Sequence, residues 1–147
     1  MIKDYFSDYT KGELYNYGLK CVSPKFVDDS REVVVLNESE VRNISIVHNS
    51  NSRKFLQVHV SADAKVSVEV ILTATQDVVV DSFIEILHKG DRGESKVHIR
   101  GYTEGNGRII CRVRTNVPHN VHNAKANQNI HLYQFDADGI TDCIKLV

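Results

Sequence analysis

Short apolar runs rich in β-branched residues recur every ten or twelve residues through most of this chain: Val33 to Leu36, Ile44 to Val47, Phe55 to Val60, Val66 to Leu72 and Val78 to Val80. Asn, Ser, Asp, Thr and Gly separate them, and each run is too short for a stable helix. That texture predicts an all-β protein. Val66, Val68, Val70 and Leu72 alternate with Ser67, Glu69 and Ile71, so the first set is expected to face the core. The same period of two continues through Ile84 and Ile86, Val97 and Ile99, Ile109, Cys111 and Val113, then Ile130 and Leu132. The segment Asn116 to Asn127 offers only Val117, Val121 and Ala124 as an apolar helical face, and Val and Asn are mediocre helix formers, so it is expected to be a crossing loop.

Residues 1–30 differ in composition. Tyr5, Phe6, Tyr9, Tyr15, Tyr17 and Phe26 crowd there, interrupted by Gly12, Gly18 and Pro24. The expected division is an N-terminal cap over 1–30 and a core domain over 31–147, because a stack of open strands needs its end covered. A chain of 147 residues is one domain's worth, long enough to bury roughly 70% of the surface its unfolded form exposes. The formal charge of -1 gives no basic field to draw in nucleic acid or an anionic membrane, so neither partner is expected. The first residues have neither the basic start nor the apolar centre of a secretory signal, and no apolar run approaches ~20 residues, which together predict a cytoplasmic protein.

Two all-β architectures fit these patterns. A β-sandwich joins its strands by hairpins and longer connections; a solenoid stacks short parallel strands and turns its corners with Gly, Asn and Asp, which tolerate left-handed backbone angles.

The stretch from His88 to Ala137 adds a more specific order. His88 to Ser95 reads HKGDRGES, Ser95 to Arg100 reads as a strand, and Gly101 to Gly107 as a glycine-rich turn. Arg108 to Arg114 is a second strand, Asn116 to Asn127 the crossing, and Gln128 to Phe135 a third strand. His88, Gly90, Ser95, Gly101, Arg108 to Val113, Gln128, Ile130 to Tyr133 and Ala137 follow one another as in the end of the β-solenoid core of the SufB and SufD proteins, which the run Ser82 to Val147 resembles. Those proteins are scaffold components of the SUF system for iron–sulfur cluster assembly. The resemblance implies a right-handed β-solenoid with the sandwich as alternative, a cluster-assembly scaffold or accessory acting through protein–protein contacts, and pairing of two such chains, or of this chain with a SUF-type partner, at the end of the core. Interface residues would then be Gln128, Ile130, Leu132, Cys143 and Ile144. A non-enzymatic interaction module without a cluster is the alternative function. The family places a cysteine directly after the glutamine that ends the crossing; here Asn129 follows Gln128, and an amide cannot serve as a sulfur acceptor or iron ligand.

Candidate ligands are few. Three cysteines, Cys21, Cys111 and Cys143, are odd in number and widely spaced, against a disulfide framework and against a CxxC metal site. Cys111 and Cys143 remain the candidate cluster ligands, although Cys111 shares the parity of Ile109 and Val113 and is expected to be a buried small hydrophobe. His119, His122 and His131, with Cys111 near in sequence, offer donors of the kind zinc or iron accepts. His59, His98 and His131 sit at the parity opposite to the apolar residues, which places them on the outer face as ordinary solvent-facing residues; a stacked histidine ladder that repels itself when protonated is the alternative. Asp136, Asp138, Thr141 and Asp142 lack the length and distal glutamate of an EF-hand loop and read as a solvated turn. No phosphate-cradling loop with a lysine and no nucleophile with evident partners is present, so no enzymatic activity is expected.

Overall fold

The computed structural model describes residues 28–135 and 140–146. Nine strands account for most of them: β1 (Asp28–Val35), β2 (Val41–His48), β3 (Ser52–Val60), β4 (Lys65–Ala74), β5 (Val79–His88), β6 (Glu94–Thr103), β7 (Arg108–Asn116), β8 (Lys125–Gln134) and β9 (Ile140–Leu146). Odd-numbered strands form one sheet in the order β1-β3-β5-β7-β9, and even-numbered strands form a second in the order β2-β4-β6-β8. Every pair is parallel. A parallel pair cannot be closed by a tight hairpin and needs a crossover connection. Here each crossover contains one strand of the opposite sheet, so the chain passes alternately between the sheets and advances by one strand in each. The protein is all-β, and hairpin pairing is absent among the described strands. The aromatic-rich segment assigned to the cap lies outside the described residues up to Val27; β1 begins at Asp28.

The corners explain why the sequence takes this path. Ser39, Asp63, Arg92 and Asn123 adopt left-handed angles (φ 60°, 59°, 59° and 59°), one in each turn that leads from the odd sheet to the even sheet. Such angles reverse the chain tightly, and Asn and Asp accept them more readily than most residues. Successive corners are hydrogen-bonded to one another: Ser39 N–H donates to Ala62 O (3.0 Å), Asp63 N–H to Asp91 O (3.0 Å) and Arg92 N–H to His122 O (2.9 Å). On the opposite side, Asp77 and Gly105 carry φ of 62° each. There Asn106 Nδ2 donates to Asp77 Oδ1 (2.6 Å) and accepts on Oδ1 from Asp77 N–H (2.7 Å), tying two turns together.

Between the sheets lies an aliphatic core. The expected inward set Val66, Val68, Val70 and Leu72 is buried, as are Ile84, Ile86, Val97, Ile99, Ile109, Cys111 and Val113. Each fully buried aliphatic side chain contributes about 1.5–3 kcal/mol. Parallel register stacks them in columns: Ile46 lies beside Val70, Val70 beside Ile99, and Ile99 beside Ile130. Ile130 and Leu132 pack against the core but are only half-buried, and among the described residues no strand follows β8 in its sheet.

Two boundaries differ from the sequence reading. Gly101 does not open a turn: β6 runs on to Thr103, and the turn is 104–107. Gly101 faces the core, where a Cβ would meet Leu132 Cδ2 at 2.5 Å and Ile109 Cδ1 at 3.1 Å, so glycine there makes room for neighbouring side chains. The crossing between β7 and β8 is also shorter than Asn116 to Asn127, since Asn116 closes β7 and β8 starts at Lys125. Strand pairing with β6 takes up Lys125 to Asn127.

Candidate functional site

The proposed ligand residues are spread across the structure. Cys111 is 0% exposed on the inward face of β7, where a thiol behaves as a small hydrophobe. Cys143 on β9 is its register partner, so two of the three cysteines occupy adjacent positions of the last parallel pair in the odd sheet. His119 and His122 lie in the crossing between β7 and β8 and are exposed. The backbone of His122 has a structural task there, donating N–H to the Asp91 carboxylate (2.8 Å) and accepting from Arg92 N–H. His131 belongs elsewhere: six residues beyond the start of β8, it stands about 20 Å along the strand from that corner. Among the described residues no three His, Cys, Asp or Glu side chains converge as a metal-binding group.

Nor do His59, His98 and His131 form one ladder. His59 is on β3 in the odd sheet, whereas His98 and His131 are on adjacent strands of the even sheet. His59 is half-buried with Nε2 2.9 Å from Gln57 Oε1, and burial pushes its pKa below the ordinary histidine value. Alternation assigned it correctly to the outward parity, but that face of the odd sheet is itself buried.

There, Asp81 accepts from Arg112 Nη2 (2.7 Å) and lies 3.5 Å from Arg53 Nε. Burial pushes the Asp81 carboxyl up while the Arg112 guanidinium pulls it back down. Arg112, 0% exposed, also lies over the Phe83 ring at 5.3 Å, and Phe83 meets Phe55 edge-on at 5.1 Å. Gln57 Nε2 donates to Glu85 Oε1 at 2.6 Å, with Arg114 Nε 3.8 Å from Glu85 Oε2. This polar plate was not foreseen from alternation. Its signal was present in β5, VVDSFIEILH, where apolar residues occupy both parities as they do in strands buried on two faces.

The corresponding face of the even sheet is open. Val47 (62% exposed) and Ile71 (45%) are register neighbours on it. A shallow groove of about 330 Å³ runs beside them, lined in part by Ser45, Glu69, His98 and Arg100. Beyond it the rings form a continuous series. His98 and His131 meet edge-to-face with centroids 5.9 Å apart, and His131 stacks on Tyr133 at 6.4 Å. Tyr133 stacks on Tyr102 at 5.4 Å, and Tyr102 on Phe135 at 5.8 Å.

The expected interface residues fall at the outermost strands. Gln128, Ile130 and Leu132 are on β8 and Ile144 and Cys143 on β9, the last strands of the two sheets. The Gln128 side chain donates to Thr115 Oγ1 and is thereby directed inward, toward the end of the core. No helix among the described residues is long and apolar enough to cross a membrane. No protein-family model, curated protein or solved structure matches the chain.

Proposed function

We propose that the protein is a β-solenoid of the SufB/SufD kind and that it works as a non-catalytic scaffold, receiving a protein partner at the end formed by β8 and β9. The observation that carries this reading is the state of β8. Among the described residues it is the outermost strand of a parallel sheet, with Ile130 and Leu132 turned toward the core yet only half-covered. An edge strand presents unpaired N–H and C=O groups to any strand that approaches, and a second apolar rim completes the burial. A two-fold pairing of β8 with its copy centred on Ile130 places Gln128 opposite Leu132 and brings no like charges together. Light scattering at tens of micromolar tests this: a dimer is expected, and Ile130→Arg is expected to give a folded monomer. A monomeric wild-type chain overturns the homodimer.

A cluster-assembly role for the same scaffold is favoured by one observation, the adjacency of Cys111 and Cys143 in the β7–β9 register. Because Cys111 is buried, a cluster at this end would form only with the core end rearranged or with a partner supplying ligands. Iron and acid-labile sulfide, measured on protein purified without oxygen, decide it. Stoichiometric iron and sulfide that Cys111→Ser or Cys143→Ser abolishes supports the assembly role; colourless, metal-free protein leaves the interaction module.

A further inference from the structure

The geometry points to a two-imidazole site for a first-row transition-metal dication, held between His98 and His131 on the open face of the even sheet. It does not involve the cysteines, and it lies on the outer face of the sheet rather than along the free edge of β8, the strand that carries His131.

The argument starts from register. His98 pairs with Asn129 and Arg100 pairs with His131, so the two histidines are diagonal neighbours on adjacent parallel strands with their side chains on the same face. Side chains related in this way are within reach of one another when long or aromatic. Their ring centroids are 5.9 Å apart with planes at 68°. A metal–nitrogen bond is about 2.0–2.1 Å, and the ring centre lies little more than an ångström behind the nitrogen. Two imidazoles sharing one ion therefore have centroids roughly 5–6.3 Å apart across bond angles from tetrahedral to linear. The observed separation falls inside that interval without movement of the backbone.

The donors are also available. His98 Nε2 is buried and has no hydrogen-bond partner. A buried ring nitrogen without a partner is uncommon in a folded protein and is satisfied by whatever ligand reaches it. No hydrogen bond of either ring to a described residue stands in the way; only the edge-to-face contact between the two rings must turn about the side-chain bonds to bring a nitrogen of each onto one ion. Stacking on Tyr133 holds the His131 ring in place.

Charge decides the class of ion. Glu69, the register partner of His98 on β4, favours a cation, while Arg100 beside His131 opposes one. With only imidazole donors supplied by the pair, hard ions that need several carboxylates are disfavoured, and ions that accept neutral nitrogen, Cu²⁺, Zn²⁺ or Ni²⁺, are selected. The remaining positions are filled by water, so the site binds modestly and keeps open coordination.

The test is calorimetric titration of the full chain with Cu²⁺ and Zn²⁺, with Mg²⁺ as control, and electron paramagnetic resonance of the Cu²⁺ form. One ion per chain is expected, with two coordinated nitrogens and no Mg²⁺ response. His98→Ala and His131→Ala should each weaken binding more than about tenfold, equivalent to 1.4 kcal/mol. Both residues are on the outer face, so circular dichroism should be unchanged, and the oligomeric state should not follow the metal. The double substitution His119→Ala, His122→Ala should leave binding intact. Absence of Cu²⁺ and Zn²⁺ binding, binding that survives His98→Ala, or binding lost with His119 and His122 overturns the site.

Discussion

Replacing Gly107 by alanine should destabilise the protein far more than the same change at Gly101, although both glycines are buried. At Gly107 the added Cβ would lie 2.2 Å from Ala74 O, 2.5 Å from Ala74 C and 2.6 Å from Thr75 O, all backbone atoms of the preceding even-to-odd turn. Backbone cannot rotate aside, so the two turns must part. That strains Glu104 N–H to Ala74 O (3.0 Å), Arg108 N–H to Val78 O (2.9 Å) and the paired contacts of Asp77 with Asn106. Overpacking of a methyl group costs typically 1–3 kcal/mol, and weakening two or three hydrogen bonds adds about 1 kcal/mol each. The sum, roughly 3–6 kcal/mol, is a large part of the 5–15 kcal/mol that holds an ordinary domain folded. At Gly101 the nearest atoms are the tips of flexible side chains, Leu132 Cδ2 and Ile109 Cδ1, and Leu132 is only half-buried. A rotamer change relieves the contact, and loss of glycine's freedom in the unfolded chain returns about 0.4–1 kcal/mol. Gly101→Ala should therefore stay within about 1 kcal/mol of wild type. Urea unfolding at a common m-value measures both. Equal losses at the two positions, or a Gly107→Ala protein as stable as wild type, would refute the close stacking of the corners.

Ile99→Ala, emptying a fully buried position in the column between Val70 and Ile130, should cost about 2–5 kcal/mol, while Val47→Ala on the open face should stay within about 0.5 kcal/mol, both read from urea midpoints. Cys111 should resist alkylation in the native protein and react once denatured, as peptide mass analysis would report; rapid native labelling contradicts its burial. His88 is buried with Nε2 2.8 Å from Ser95 Oγ, and burial lowers its pKa below the ordinary 6.5. The unfolded chain thus binds the proton more readily, so the contribution of neutral His88 is complete above pH 6.5 and is lost as pH falls through the depressed folded value. Unfolding midpoints compared between wild type and His88→Gln should show a shallower acid loss in the variant.

The interior was legible because it depends on local alternation. Val66, Val68, Val70 and Leu72 announce their face without any knowledge of partners, and so do Ile109, Cys111 and Val113. Partnership was not legible. Nothing within the sequence neighbourhood of His131 shows that His98 stands diagonally beside it, while His122, only nine residues away, is held at a corner. Register is set by how far each crossover carries the chain, and those distances vary: Asp28 pairs with Ser52, Ser52 with Val80, and Val80 with Ile109. Gly101 misled for a related reason. Glycine signals a turn when only local angles are considered, but here its φ is not left-handed and the requirement is space for Leu132.

The difference between the two outer faces bears on where a partner can act. A slip of one residue in the odd sheet would drive Asp81, Glu85 and Arg112 into the aliphatic interior and turn Ile84, Ile86 and Val113 away from it. Placing unsolvated charges there costs several kcal/mol per ion, so the buried plate specifies register even where its ion pairs add little net stability. Substitutions on that face act on folding before they act on binding. The even sheet has no such plate. Its outward residues Lys96, Arg100, His131 and Tyr133 reach solvent without being needed for register, which the column Ile46, Val70, Ile99 and Ile130 on the inner side already fixes. Residues spared from structural work are the ones whose chemistry can be spent on a ligand. Binding changes that leave stability untouched should therefore arise from the even face, whereas changes at Ile130 and Leu132 should alter association and stability together.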